Sequence, residues 1–138
     1  MIIDATNLIL GRMGTVVAKK AMLGEEVLIV NCEKAIITGG RDFLLAKYQN
    51  RIKRGIPLKG PYFPRIPDRL VRRSIRGMLP YKKARGNAAF HRIMCYQGVP
   101  EVLKDRKAQS IKEAHASRLN TLNYLPVGEL CKLLGAKR

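Results

Sequence analysis

Acidic residues are scarce in this chain of 138 residues: ten Asp and Glu stand against 27 Lys and Arg, for a formal charge of +17. A compact protein so unbalanced repels itself in isolation. The shortage excludes a surface neutralised by its own mixed-sign pairs. A polyanion that neutralises the charge is the natural explanation, and an isoelectric point near 10.4 points first to nucleic acid, with an anionic membrane surface as the weaker alternative. Paired cysteines are missing too. Cys32, Cys95 and Cys131 form no C-x-x-C, and His91 and His115 lie apart from them, so the ligand spacing of a zinc site is absent and no metal or cofactor is expected. Free thiols fit a reducing cytosol. No apolar run reaches the roughly 18 residues of a membrane span. The opening Met1-Ile2-Ile3-Asp4 lacks the basic and apolar regions of a secretion signal. A soluble, cytoplasmic protein with no membrane partner is expected. Catalytic patterns are likewise lacking, since neither histidine has a nucleophile or carboxylate arranged near it and the carboxylates are scattered singly. The chain is read as no enzyme, with no small-molecule substrate.

What the chain does contain is one ordinary globular share of apolar residues, 46%, without repeats or low-complexity tracts, which predicts a single domain over residues 1–138. Its first third reads as strand, helix, strand, turn, helix. Met1–Ala5 is a short strand, and a helix from about Gly11 to Leu23 carries Met13, Val16, Val17 and Ala21 on one face, with Gly24 as its stop. Val27–Asn31 is a continuous β-branched run suited to a strand covered on both faces. Ala35–Thr38 reads as a further short strand and Arg41–Arg51 as a second helix. Strand–helix–strand order implies a parallel sheet with a right-handed crossover, hence an α/β fold.

From Ile52 to Asp68 the character changes. Gly55, Pro57, Gly60, Pro61, Pro64 and Pro67 cannot sustain helix or central strand. This stretch is expected to be an extended basic arm that takes its shape on a partner. A helix follows from Asp68 to Met78, started by Pro67 and ended by Gly77 and Pro80. A further helix is expected over Lys83–Arg92, a strand over Ile93–Tyr96, a helical stretch over Ser110–Arg118 and a C-terminal helix over Val127–Leu134.

The charge is concentrated. Between Arg41 and Arg92 there are 15 basic residues and two acidic ones, Asp42 and Asp68. Within that stretch Arg69, Arg72, Arg73 and Arg76 occupy i, i+3, i+4 and i+7, so a helix gathers four guanidiniums on one face, opposite Leu70, Val71, Ile75 and Met78. Arginine suits this task because its planar fork grips phosphate bidentately and stacks on bases. Lys47, Arg51 and Arg54 form a second cluster. Lys53, Lys59 and Arg65 lie on the arm with Tyr62 and Phe63 as candidate base-stacking rings, and Lys82, Lys83, Arg85 and Arg92 follow the arginine helix. Two glycine turns, Leu10-Gly11-Arg12-Met13-Gly14 and Thr38-Gly39-Gly40-Arg41, each follow a predicted strand and open a helix, where an anion is favoured. They lack the full dinucleotide or Walker pattern. Arg12 and Arg41 favour a polyanion there over a nucleotide-dependent enzyme.

These residues also carry a resemblance. Asp4-Ala5-Thr6 with Leu10-Gly11-Arg12, then Asn31-Cys32-Glu33-Lys34-Ala35 running into Ile37-Thr38-Gly39, resembles the start of the family of ribosomal protein thirteen of the large subunit. Gly60-Pro61-Tyr62-Phe63-Pro64, followed by Arg72-Arg73-Ser74-Ile75-Arg76-Gly77-Met78-Leu79-Pro80, is similar to that family's most distinctive block, and Arg85-Gly86 and Tyr96-Gln97-Gly98-Val99-Pro100 continue it in order. The resemblance runs over residues 1 to 134. It implies a three-layer α/β/α fold on a four-stranded parallel sheet and a structural role in the large ribosomal subunit. That role would be to bind large-subunit rRNA early in assembly, beside neighbouring large-subunit proteins. The Pro-Tyr-Phe-Pro arm and the Arg-Arg-Ser-Ile-Arg form resemble the archaeal and eukaryotic branch, and the end soon after Leu134 fits an archaeal member.

Overall fold

The structure, a computed structural model, describes residues 1–136. Strand β1 (Ile2–Asp4) is followed by helix α1 (Leu10–Met22), strand β2 (Val27–Val30), strand β3 (Ile36–Thr38) and helix α2 (Arg41–Lys53). After the arm come α3 (Pro67–Arg76), α4 (Ala84–His91), β4 (Ile93–Cys95), β5 (Tyr124–Pro126) and α5 (Val127–Leu133). The expected helical stretch before β5 is two single 3-10 turns, Lys112–Ala114 and Ala116–Arg118. That segment places Ala114 in the core with Ile111 packed against it, too little apolar surface to hold a longer helix.

The parallel sheet has three strands among the described residues, in the order β1-β2-β4, rather than the four expected. Ile3 lies beside Ile29, and Ile29 beside Cys95, so β2 is central, and the β-branched run of the sequence is buried there. Strand β3 leaves this sheet. Asn31 adopts a left-handed conformation at φ 55° and a 3-10 turn over Cys32–Lys34 redirects the chain, after which β3 pairs antiparallel with β5. At the free side of β1 a fourth partner exists only as one residue. Gln109 bridges Ile3 in parallel sense, donating to the Ile2 carbonyl at 2.9 Å and accepting from the Asp4 N–H at 3.0 Å. The polar residues around Gln109 give no alternating pattern to extend that ladder.

The ends of β1 and β2 are tied by a carboxylate. Asp4 Oδ1 accepts from the Thr6 N–H at 3.0 Å, the Thr6 hydroxyl at 2.7 Å and Asn31 Nδ2 at 3.0 Å. Burial by itself pushes the Asp4 pKa up, but these bonds to the charged form outweigh it and hold the group below its ordinary value.

One core joins the elements: Ile3, Met13 and Val17 meet Val27, Ile29, Leu70, Val71, Ile75 and Ile93, all fully buried, with Val127 and Leu130 of α5. Helix α1 packs on α3 and α4, and α3 packs on β4 and α5. Two glycines allow close approach. A Cβ on Gly14 of α1 would lie 2.9 Å from the Met78 sulfur, whereas a Cβ on Gly86 of α4 would lie 2.1 Å from the Pro80 carbonyl oxygen. The first obstacle is the end of a flexible side chain and the second is backbone. Gly86→Ala is therefore expected to lose about 3 kcal/mol of stability by overpacking. Gly14→Ala should lose far less, because Met78 can turn aside and Ala gains roughly 1 kcal/mol of helix propensity. Urea unfolding midpoints at unchanged m-value measure both.

Candidate nucleic-acid interface

Helix α3 starts where Pro67 stands at its first position with Asp68 in the first turn, and it ends at Gly77. Leu70, Val71 and Ile75 are fully buried, as the spacing predicts. Met78 lies past the helix end, 43% exposed, so it is not part of that buried row. The four arginines are not one equivalent solvent row. Arg69 and Arg73 are exposed, whereas Arg72 and Arg76 are half-buried. The Arg72 guanidinium lies over the Phe90 ring at 4.5 Å and that of Arg76 over the Tyr81 ring at 4.8 Å. The Nε atoms of both, and Oδ1 of Asp68, are buried without a hydrogen-bond partner. The i, i+4 spacing of Asp68 and Arg72 thus produces no ion pair in this conformation.

The end of α2, the arm and α3 come together around a groove of about 420 Å³. Its lining includes Arg51 and Arg54 from one side, Pro61, Tyr62 and Phe63 from the arm, and Arg73 with Ser74 and Gly77 from the other, and contains no carboxylate. In the sequence these arginines fall into separate clusters. The fold makes them neighbours, because the chain doubles back between Ile56 and Gly60, with Gly55 and Gly60 at positive φ. The Arg51 guanidinium lies over the Tyr48 ring at 5.5 Å, and Phe63 packs on the same ring with centroids 5.7 Å apart. Phe63 is thereby turned toward the core, while Tyr62 is 73% exposed.

The arm is folded upon itself more than an extended segment would be. Gly60 N–H donates to the Ile56 carbonyl at 2.8 Å, Ile56 N–H donates back to Gly60 at 3.2 Å, and the Tyr62 hydroxyl donates to the Pro57 carbonyl at 2.7 Å. Lys59 stands exposed in that turn.

The remaining predicted residues divide. Arg12 and Lys47 border a larger groove of about 670 Å³ whose wall is largely apolar, with Lys47 Nζ 5.9 Å from the Phe43 ring. Lys53 and Arg65 border a shallow recess beside Leu133 and Leu134. Lys82, Lys83 and Arg85 are exposed at the start of α4. Two cations are occupied within the protein. Arg41 Nε lies 3.5 Å from Glu129 of α5, and Arg92 Nη1 donates at 3.3 Å to the Ala21 carbonyl, closing the C-terminal end of α1. Because β3 runs antiparallel to β5, the Gly39-Gly40 turn does not lie at the carboxyl end of a parallel strand, and Arg41 does not line the groove that Arg12 borders.

Neither buried cysteine is set up as a nucleophile. A hydrogen bond with the Cys95 side chain, together with burial, pushes the Cys32 thiol far up, and burial with the nearby Asp68 charge pushes Cys131 up to about 12. Both are the protonated, unreactive form. Among the described residues no three His, Cys, Asp or Glu side chains gather into a metal-binding group, and no helix is long and apolar enough to cross a membrane.

The class these features define is that of strongly basic α/β proteins with a carboxylate-free arginine groove. The chain belongs to the ribosomal protein L13 family, whose family model matches residues 1–102. It is 47% identical over 137 residues to the large ribosomal subunit protein uL13 of Methanosarcina barkeri, covering 99% of this chain and 98% of that relative. It is 48% identical over 141 residues to the uL13 protein of Methanococcus maripaludis, again covering 99% and 98%. The uL13 protein of Methanopyrus kandleri is 44% identical over 136 residues, with 97% of this chain and 86% of that relative covered. The type is the archaeal one.

Proposed function

We propose that this chain is a structural constituent of the large ribosomal subunit that binds large-subunit rRNA and supports early assembly of that subunit beside neighbouring large-subunit proteins. The observation that carries the reading is the convergence of Arg51, Arg54 and Arg73 with exposed Tyr62 on one groove that contains no carboxylate. Guanidiniums without acidic partners repel one another and are relieved by phosphates. A ring at the rim offers an unpaired base a stacking surface. Arg69, Lys59, Lys82, Lys83 and Arg85 extend the positive field on either side, and Arg12, Lys47, Lys53 and Arg65 serve as outlying contacts. Arg41, Arg92 and Phe63 are engaged within the protein and are left out of the interface. The protein works in the cytoplasm, within the ribosome.

Sedimentation tests this reading directly: the chain should travel with large subunits rather than stay in the soluble fraction. Binding to large-subunit rRNA should also weaken steeply with salt. Each neutralised phosphate adds roughly 0.7–0.9 to the slope of log K against log salt, and about six contacts give a slope near −5. A measured slope near −1 would mean that the basic surface is not a polyanion site.

A further inference from the structure

We propose that Arg72 and Arg76 form a pre-set pair of guanidinium forks for two successive phosphates of one RNA strand, with Phe90 and Tyr81 as the positioning residues that hold them. This rests on the rRNA-binding reading and adds a second, differently built contact to it. The two arginines stand one turn apart on α3, and four residues of helix rise about 6 Å, comparable to the separation of neighbouring phosphates along a strand. Each guanidinium is laid over an aromatic ring, at 4.5 Å for Arg72 on Phe90 and 4.8 Å for Arg76 on Tyr81. Each has its Nε shielded and unpartnered, and neither makes an ion pair among the described residues. What remains to each is the outer edge, Nη1 and Nη2, the side of the fork that grips two oxygens of one phosphate.

Holding the groups this way has a physical purpose. A free arginine loses side-chain freedom when it meets its ligand, which weakens binding. Here the loss is taken during folding, because the rings and α3 already fix the planes. Arg69 and Arg73, exposed on the same helix, have no such support and contribute charge more than geometry. Acidic protein side chains could also accept from such forks. The regular spacing along one helix and the arginine-rich surroundings favour a phosphate strand.

The test uses the full chain, a large-subunit rRNA transcript, and titrations at several salt concentrations. Arg72→Lys with Arg76→Lys keeps both charges and removes both forks. It should weaken binding about tenfold or more while leaving the salt slope unchanged. Tyr81→Leu with Phe90→Leu keeps both arginines and frees them, and should cause a similar loss. Tyr81→Phe keeps the ring and should bind like the parent. If the leucine pair fails to fold, the lysine pair still decides, since Lys keeps both charges and an aliphatic stem to lie over each ring. Parent-like rRNA affinity of the lysine pair with a lowered melting point would mean that these arginines only cover the rings, and the proposal falls. Parent-like affinity with poor incorporation into subunits would assign them to a protein neighbour and overturn the phosphate assignment. If binding is also indifferent to loss of Arg51, Arg54 and Arg73, the rRNA-binding reading fails as a whole; if only the lysine pair is silent, this inference fails alone.

Discussion

Replacing Arg51, Arg54 and Arg73 together by Gln is expected to weaken binding to large-subunit rRNA by about 4 kcal/mol or more, roughly a thousandfold. Three hydrogen-bonded charges, at about 1.5–3 kcal/mol each, supply that loss. All three side chains are exposed and border one groove without a carboxylate. Their removal leaves no buried partner unsatisfied. Stability should change by no more than about 1 kcal/mol, chiefly through the lost contact of Arg51 with the Tyr48 ring. Titration at fixed salt measures the first effect and urea unfolding the second. Parent-like affinity at matched salt would remove the groove from the interface. The contrast with Arg72 and Arg76 matters here. Gln at those positions would uncover Phe90 and Tyr81, so a loss of stability would accompany any loss of binding.

The opposite pattern is expected of Ile75→Asp. Ile75 is fully buried where α3 meets α1. Loss of its side chain costs about 2–5 kcal/mol, and an unpaired carboxylate in that position adds several more. A domain of this size has about 5–15 kcal/mol in total. The variant should therefore be largely unfolded at neutral pH and fail to bind for that reason. The sign of its pH dependence follows from burial. An apolar site raises the folded-state pKa of the new carboxyl above its unfolded value near 3.9. The penalty is then smallest at low pH and grows as pH rises through the interval between the two values. Circular dichroism at about pH 4 and pH 7, each against the parent, reads this. Equal destabilisation at both would place the introduced carboxyl group in water.

Helix α3 was legible in the sequence because its punctuation and its spacing agree: Pro67 and Asp68 open it, Gly77 closes it, and Leu70, Val71 and Ile75 fall on one side. Strand β2 was legible from four apolar residues in a row, Val27–Val30. The fate of β3 was not. Ile36–Thr38 has the composition of any short strand. Its departure from the parallel sheet depends on the left-handed Asn31 and on a partner, Tyr124–Pro126, too short to show alternation and 86 residues further along at its closest pairing. The resemblance of the N-terminal and arginine-helix motifs pointed to the family. It also suggested a fourth parallel strand that the structure reduces to the bridge at Gln109.

At the candidate site, residue type was legible and company was not. Helical spacing alone puts four arginines on one side of α3. Tyr81, five residues beyond Arg76, and Phe90, eighteen beyond Arg72, divide them into two held and two free. That division depends on where the turn after α3 and helix α4 place Tyr81 and Phe90, which the spacing of the arginines does not encode. Arg92 and Arg41 show the same limit in reverse, since a helix end and Glu129 engage cations that read as surface charge.

The bridge at Gln109 bears on the life of the protein before it reaches its particle. An open strand edge is a template for pairing with another chain, a second copy of the same protein included. Strand β1 is only three residues long, so one residue is enough to occupy its outward Ile2 carbonyl and Asp4 N–H. Arg106 and Lys107 lie just before that residue, where like charge discourages a second copy from docking alongside. A short edge, one plug and two cations amount to protection against self-association, built from a segment that contributes almost nothing to the core.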